Sequence, residues 1–222
     1  MAIYALLDYD TLKKYNISIK DFCQTAKGLK AKILQYRDKN SSNEEKKERL
    51  KEIKKYWKKP LIINDTLELL NMADGIHIGQ EDLENICKRY NLSPFEVIEK
   101  LKNGKWEIKE KFYFTDEKKN QKKIVGLSTH NKEEILNANS LPLSYIGLGA
   151  YRQTSTKKTS NILGQKVIEL IKYSYHPVAV IGGVRIYDKI PANFKVIGSD
   201  ICKLTSIQSK KKRIFKRKLK TL

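Results

Sequence analysis

Eight short apolar runs punctuate this chain, and polar, helix-like segments separate most of them. The runs are AIYALLD (2–8), KILQYRD (32–38), PLIIND (60–65), DGIHIGQ (74–80), KIVGLST (123–129), SYIGLGA (144–150), PVAVIGGV (177–184) and FKVIGSDICKLTS (194–206). Segments 18–29, 42–57, 66–71, 131–138 and 162–173 read as helices. Strands that alternate with helices build parallel βαβ units. Eight such units predict an α/β fold, a (β/α)8 TIM barrel, in a chain of 222 residues that is slightly short for one. A doubly wound open sheet is the competitor, but it uses fewer strands, and no GxGxxG follows the first run.

Two places break the rhythm. Residues 83–122, after the fourth strand, are longer than one connection needs and read as an inserted segment. Within them SPFEVIEKLKN predicts a helix with Ser93 as N-cap and Pro94 in its first position. Residues 185–195 are short for a helix and carry Pro191, so helix 7 is expected to be one turn or absent. The basic tail, 209–222, reads as a last helix with a basic face or as an arm. The expectation is one barrel domain over 1–222.

Charge separates the candidate functions less than it first suggests. The net charge is +20, which raises the expectation of a polyanionic partner such as nucleic acid, a membrane surface or a phosphorylated substrate. Lysines on solvated helix faces account for most of it. Cys23, Cys87 and Cys202 are scattered, odd in number and without metal-type spacing, which fits a reducing compartment. With neither a basic leader before an apolar stretch nor an apolar run long enough to span a bilayer, the expected location is cytoplasmic, with no membrane partner.

The chemistry of a barrel sits at the C-terminal ends of its strands, and unusual polar residues recur there. Strand 2 ends in QYRDK, where alternation puts Gln35, Arg37 and Lys39 on one face and Leu34 and Tyr36 on the other. An amide and two cations at a barrel mouth suit a phosphate or diphosphate. Strand 3 ends in Asn64 and Asp65, and strand 4 in Gln80, Glu81 and Asp82. Two carboxylates from neighbouring strands, beside cations, suit Mg2+ completed by substrate oxygens. Either aspartate is also explained as a helix cap. Ser128 closes strand 5, while Thr154, Thr156 and Lys157 follow strand 6. Gly182 and Gly183 after strand 7 allow close backbone approach to a ligand, and Thr205 and Ser206 are expected to close strand 8. His77 reads as a satisfied interior histidine, and no Ser-His-Asp or Cys-His order is convincing.

QYRDK, IIND, ADGIHIGQED, GLSTH, TSTK and IGGV, in that order on successive strands, resemble thiamine-phosphate synthase, in outline over residues 2 to about 207. The resemblance implies a transferase that joins a pyrimidine diphosphate to a thiazole phosphate and releases pyrophosphate, through a pyrimidine carbocation. It implies that Gln35, Arg37, Lys39, Asn64, Ser128 and Lys157 hold the pyrimidine diphosphate and its leaving pyrophosphate, with Arg37, Lys39, Ser128 and Lys157 serving the chemistry. Asp65 and Asp82 are implied as Mg2+ ligands. Thr154, Thr156, Gly183, Thr205 and Ser206 are implied on the thiazole phosphate. Gln153 stands where the family usually has proline, and Asp200-Ile201 where it has Asp-Gly. Two alternatives remain: a thiazole tautomerase on the same barrel, which does not need the two aspartates, and a non-catalytic basic protein that contacts nucleic acid through 118–123 and 209–220. The implied partners are small phosphorylated molecules; nucleic acid is not expected, and a homodimer is allowed.

Overall fold

A computed structural model describes the backbone of residues 1–108, 111–115, 122–153 and 161–218, and the side chains of 1–104, 122–153 and 161–210. Strand β1 (Ala2–Asp8) leads through helices α1 (Tyr9–Tyr15) and α2 (Ile19–Gly28) to β2 (Ile33–Arg37). Helix α3 (Asn43–Tyr56) precedes β3 (Leu61–Asn64), and a 3-10 turn (Leu67–Met72) precedes β4 (Gly75–Ile78). Helices α4 (Gln80–Tyr90) and α5 (Pro94–Lys102) follow, then an antiparallel hairpin, β5 (Lys105–Ile108) and β6 (Lys111–Thr115). The barrel resumes with β7 (Ile124–Thr129), α6 (Lys132–Ala138), β8 (Tyr145–Leu148), α7 (Lys166–Ile171), β9 (Val178–Val180), β10 (Phe194–Ile197) and α8 (Ser199–Lys218). Eight parallel strands close in the order β1-β10-β9-β8-β7-β4-β3-β2, the expected TIM barrel.

The local chemistry explains why these elements start where they do. Ser42 and Glu45 form a reciprocal capping box on α3, and Ser93 and Glu96 form one on α5 behind Pro94. Each box satisfies two backbone donors that a helix start leaves open. Along the barrel strands the side chains alternate between two apolar layers. Ala5, Leu7, Leu34, Tyr36, Ile63, Ile76 and Leu127 pack outward under the helices. Tyr4, Ile33, Ile62, Tyr145, Ala179 and Val196 fill the barrel interior.

One sequence reading changes here. The eighth strand stops at Ile197, and Thr205 and Ser206 lie on α8 instead of closing the strand. Gly198 ends the extended run, and the buried positions after it, Ile201, Cys202 and Thr205, recur at helical spacing. Thr205 Oγ1 donates to the carbonyl of Ile201 (2.7 Å) and shares a hydrogen bond with Thr25 Oγ1 (2.9 Å), which ties α8 to α2 away from the strand ends. The segment 83–122 takes in the greater part of α4, then α5 and the hairpin. Between β9 and β10 no helix forms, which settles helix 7 as absent. The tail is helical through Lys218. All three cysteines are free thiols, and burial pushes Cys23 and Cys202 up to about 12. No helix among the described residues is long and apolar enough to cross a membrane.

Candidate active site

A cavity of about 210 Å³ opens at the C-terminal ends of the strands. Gln35, Arg37, Lys39, Asn64, Asp65, Asp82, Ser128 and Gly183 all line it. The structure therefore brings together residues singled out above from β2, β3, β7, the first turn of α4 and the turns after β2, β3 and β9.

Arg37 enters on the inward face of β2, as alternation requires. Asp8 at the end of β1 accepts from Arg37 Nη1 at 2.5 Å. The other Asp8 oxygen caps α1, accepting from Thr11 N (2.9 Å) and Thr11 Oγ1 (2.6 Å). One buried carboxylate thus fixes both the first helix and the guanidinium. Asp38, on the opposite face, is buried too. It accepts from Tyr36 Oη (2.7 Å), Arg49 Nη1 (2.6 Å) and the backbone N–H groups of Asn40 (3.3 Å) and Ser41 (3.2 Å). Those bonds anchor the turn from which Lys39 projects.

Asp65 has φ +59°, a left-handed conformation that non-glycine residues adopt rarely and that aspartate tolerates better than most. Its backbone N–H donates to the carbonyl of His77 (3.0 Å), and Asn64 Nδ2 donates to both that carbonyl (3.1 Å) and Asp65 Oδ1 (2.8 Å). The turn is locked with the carboxylate facing the cavity. Neither aspartate is an N-cap: Thr66 holds that position on the 3-10 turn and Gly79 on α4, and neither terminus has a side-chain cap. Gly79 leaves room for the Asp82 carboxylate: a Cβ there would come within 2.8 Å of Asp82 Oδ2 and push that side chain aside. Burial, then the charge of Asp82, pushes the Asp65 carboxyl up to about 6, against the pull of Lys39 and Arg37. Two carboxylates pressed together in a cavity call for a positive partner. Among the described residues no group of three or more His, Cys, Asp and Glu could enclose a metal by itself. The pair fits a hard divalent cation that takes its remaining ligands from water and substrate oxygens.

Beneath the cavity a hydrogen-bonded chain crosses the barrel. Gln35 Nε2 donates to Tyr4 Oη (2.9 Å), and Tyr4 and Tyr145 share a hydroxyl contact of 2.8 Å. Tyr145 Oη meets His77 Nδ1 (2.9 Å), and His77 Nε2 meets Ser128 Oγ (3.0 Å). Gly126 and Gly147 create the room for it: a Cβ on the first would lie 2.2 Å from the Tyr145 ring, and on the second 2.8 Å from the His77 ring. Burial pushes the His77 imidazole down to about 4, with a smaller effect of His130, so it stays neutral and can accept at one nitrogen while donating at the other. His77 is the satisfied interior histidine expected. It also joins Gln35 to Ser128, a link that no single motif announces.

The opposite wall is backbone. Gly182 (φ +88°) and Gly183 (φ +67°) follow β9, and Gly198 and Ser199 follow β10. Gly198 and Ser199 occupy the strand-8 position that the sequence reading gave to Thr205 and Ser206. Thr154, Thr156 and Lys157 lie outside the described residues.

The model of the family described as thiamine monophosphate synthase matches residues 9–98 and 114–192. The chain belongs to the thiamine monophosphate synthase family. It is 36% identical over 160 residues to a thiamine-phosphate synthase of Persephonella marina, in an alignment covering 69% of this chain and 64% of that one. With a thiamine-phosphate synthase of Dictyoglomus thermophilum it shares 32% identity over 197 residues, 83% of this chain and 76% of the relative. The chain thus spans less than two thirds of the first of these relatives. A solved thiamine phosphate pyrophosphorylase from Pyrococcus furiosus superposes with a TM-score of 0.63 at 18% identity, over 92% of each chain, which speaks to the fold alone.

The break in the thiamine monophosphate synthase match, residues 99–113, falls on the end of α5 and on most of the β5–β6 hairpin. The matched stretch stops before β10, which is where sequence reasoning misplaced a strand end. Asp8, Tyr4, Tyr145, Gly198 and Ser199 are the site residues it missed. Asp8 carried a usable signal, since it closes β1 just as Asp65 follows β3.

Proposed function

We propose that this member of the family condenses a pyrimidine diphosphate with a thiazole phosphate, giving thiamine phosphate and pyrophosphate. The observation that carries the reading is the convergence of Arg37 and Lys39 with the Asp65–Asp82 pair on one cavity whose far wall is a glycine-rich turn. Cations beside paired carboxylates suit a diphosphate with Mg2+, and the backbone wall suits a second, smaller phosphate. A thiazole tautomerase has no need of the paired carboxylates.

The chain's part in the reaction follows from where charge moves. The C–O bond between the pyrimidine methylene and the diphosphate breaks, and its electron pair leaves with pyrophosphate. The thiazole nitrogen lone pair then forms the new C–N bond. That nitrogen carries no proton, so the step needs no general base. Arg37 and Lys39 face the leaving group and stabilise its growing negative charge. Asp65 and Asp82 would hold Mg2+, which when bound neutralises charge on the diphosphate. Gln35 and Ser128, joined through Tyr4, Tyr145 and neutral His77, present fixed donors and acceptors to the pyrimidine edge. The enclosed pocket keeps the nucleophile close to the methylene and limits water.

The test is an incubation of the purified protein with both phosphorylated heterocycles and Mg2+. Thiamine phosphate and pyrophosphate are expected in equal amounts, and neither product when any one component is omitted. Failure to form thiamine phosphate with all components present rejects the reading.

A further inference from the structure

We infer that Arg152 and Asp188 form a positioning pair that sets the Gly182–Gly183 turn for the phosphate of the second substrate; this rests on the condensation proposed above. Two consecutive glycines with positive φ form a loose hinge unless something outside holds it, because glycine loses the most conformational freedom on ordering. In this protein the segment Tyr151–Arg152 supplies the grip. Tyr151 N–H donates to the carbonyl of Ile181 (2.9 Å), Arg152 N–H to that of Gly182 (2.8 Å) and Arg152 Nη1 to that of Gly183 (3.1 Å). Three successive carbonyls are thereby turned to one side. The N–H groups of Gly182, Gly183 and Val184 find no acceptor among the described residues, and all three residues line the cavity. Consecutive backbone N–H groups of this kind form an anion-binding concavity.

Arg152 does not reach its Gly183 bond unaided. Asp188, buried at the far end of the same loop, accepts from Arg152 Nη1 (2.5 Å) and Nη2 (3.0 Å) in a two-pronged pair, and also from the backbone N–H of Arg185 (2.8 Å). The fork fixes the plane of the guanidinium, which a single bond would leave free to turn. The contact is direct as well as polar: a Cβ on Gly183 would sit 2.8 Å from Arg152 Cβ. A shift of Arg152 therefore moves the phosphate-facing backbone. Because Asp188 offsets the Arg152 charge, the recognition falls to backbone dipoles, and the arginine acts on the phosphate only through Gly183.

Steady-state kinetics with both substrates varied separates this role from a purely structural one. Asp188→Asn keeps the side chain's shape and its acceptor for Arg185, while Arg152→Lys keeps the charge but loses the fork. The loss of one charge-assisted contact predicts a rise of about tenfold in KM for thiazole phosphate, smaller for Arg152→Lys, with KM for the pyrimidine diphosphate and kcat at saturation changing less than about twofold. Titration calorimetry of thiazole phosphate, with Mg2+ and pyrophosphate present, gives a second readout that needs no turnover. If the wild type forms thiamine phosphate and the variants show no rise in that KM, or an equal rise in both, the pair has no positioning role and the condensation still stands. If the wild type makes no thiamine phosphate yet binds thiazole phosphate, and the variants bind about tenfold more weakly, the pair is confirmed and the condensation fails. A wild type that neither turns over nor binds overturns both.

Discussion

The two walls of the cavity are built on different principles. The wall formed by β2, β3 and the first turn of α4 presents charged side chains, and neighbours hold them: buried Asp8 grips Arg37, half-buried Asn64 grips Asp65, and buried Asp38 anchors the turn that carries Lys39. The wall after β9 offers backbone, shaped by two glycines and held from outside by Arg152. Charge dominates the first wall and shape the second. Changes to the first should therefore reach the chemical step, while changes to the second should stay in the affinity for one substrate.

The largest effect is expected from the proposed metal ligands. Asp65→Asn or Asp82→Asn should each lower kcat about a hundredfold, a loss of roughly 3 kcal/mol of transition-state stabilisation. Equal losses in kcat from Asp188→Asn would erase the contrast between the walls. Arg37→Ala comes next. It should raise KM for the pyrimidine diphosphate by about ten- to a hundredfold, as expected for a hydrogen bond to a charged group, while turnover stays Mg2+-dependent. Because Asp8 would be left buried without its cation, Arg37→Ala should also be compared with the wild type by thermal melting, so that lost binding is not confused with lost stability.

A third prediction concerns pH and uses opposite shifts within the first wall and the floor beneath it. His77 is held near 4 in the native state against its ordinary 6.5, so between those values the unfolded chain binds the extra proton, and stability falls as pH drops. Asp65 is raised from 3.8 to about 6, so the native state binds the extra proton in nearly the same window, and stability rises as pH drops. The two effects oppose each other in the substrate-free protein. Asp65→Asn removes one of them and should steepen acid destabilisation between about pH 6.5 and 4, read as urea midpoints across that range. A variant with the wild-type pH profile would mean that neither burial nor Asp82 raises the Asp65 carboxyl. The smallest effect is expected far from both walls. Among the described residues, α8 is tied to α2 as far as Gln208, whose Oε1 accepts from Thr25 Oγ1 (3.3 Å). Removing residues 210–222 should leave both KM values and kcat within about twofold and lower only the melting temperature, by a few degrees at most.

The sequence made the side-chain wall legible and left the backbone wall obscure. Gln35, Arg37 and Lys39 could be read because a strand alternates with period two, whatever else it packs against. Asp65 and Asp82 could be read because strand ends in a barrel converge. What holds them could not: Asp8 lies 29 residues from Arg37, and Asp188 lies 36 from Arg152, separations that are bridged only when β1 pairs with β2 and β8 with β9. Thr205 and Ser206 were misplaced because FKVIGSDICKLTS is apolar enough to pass for one strand, while Gly198 splits it into a short strand and a helix start. The hairpin at 105–115 was legible in principle, since KWEI and KFYFT carry a strand-like aromatic content, but lysines on either side masked it as a charged insertion.

The central claim is that Asp65 and Asp82 act as one unit on the diphosphate through a shared ion. Turnover of the wild type, each single variant and the Asp65→Asn/Asp82→Asn double variant, measured across a Mg2+ titration, tests it most directly. The account predicts that each single variant loses most turnover and most of its Mg2+ response, and that the double variant is scarcely worse than the weaker single, because either change already disrupts the same ion. Folded variants that keep wild-type Mg2+-dependent turnover, or losses that multiply in the double variant, would contradict it.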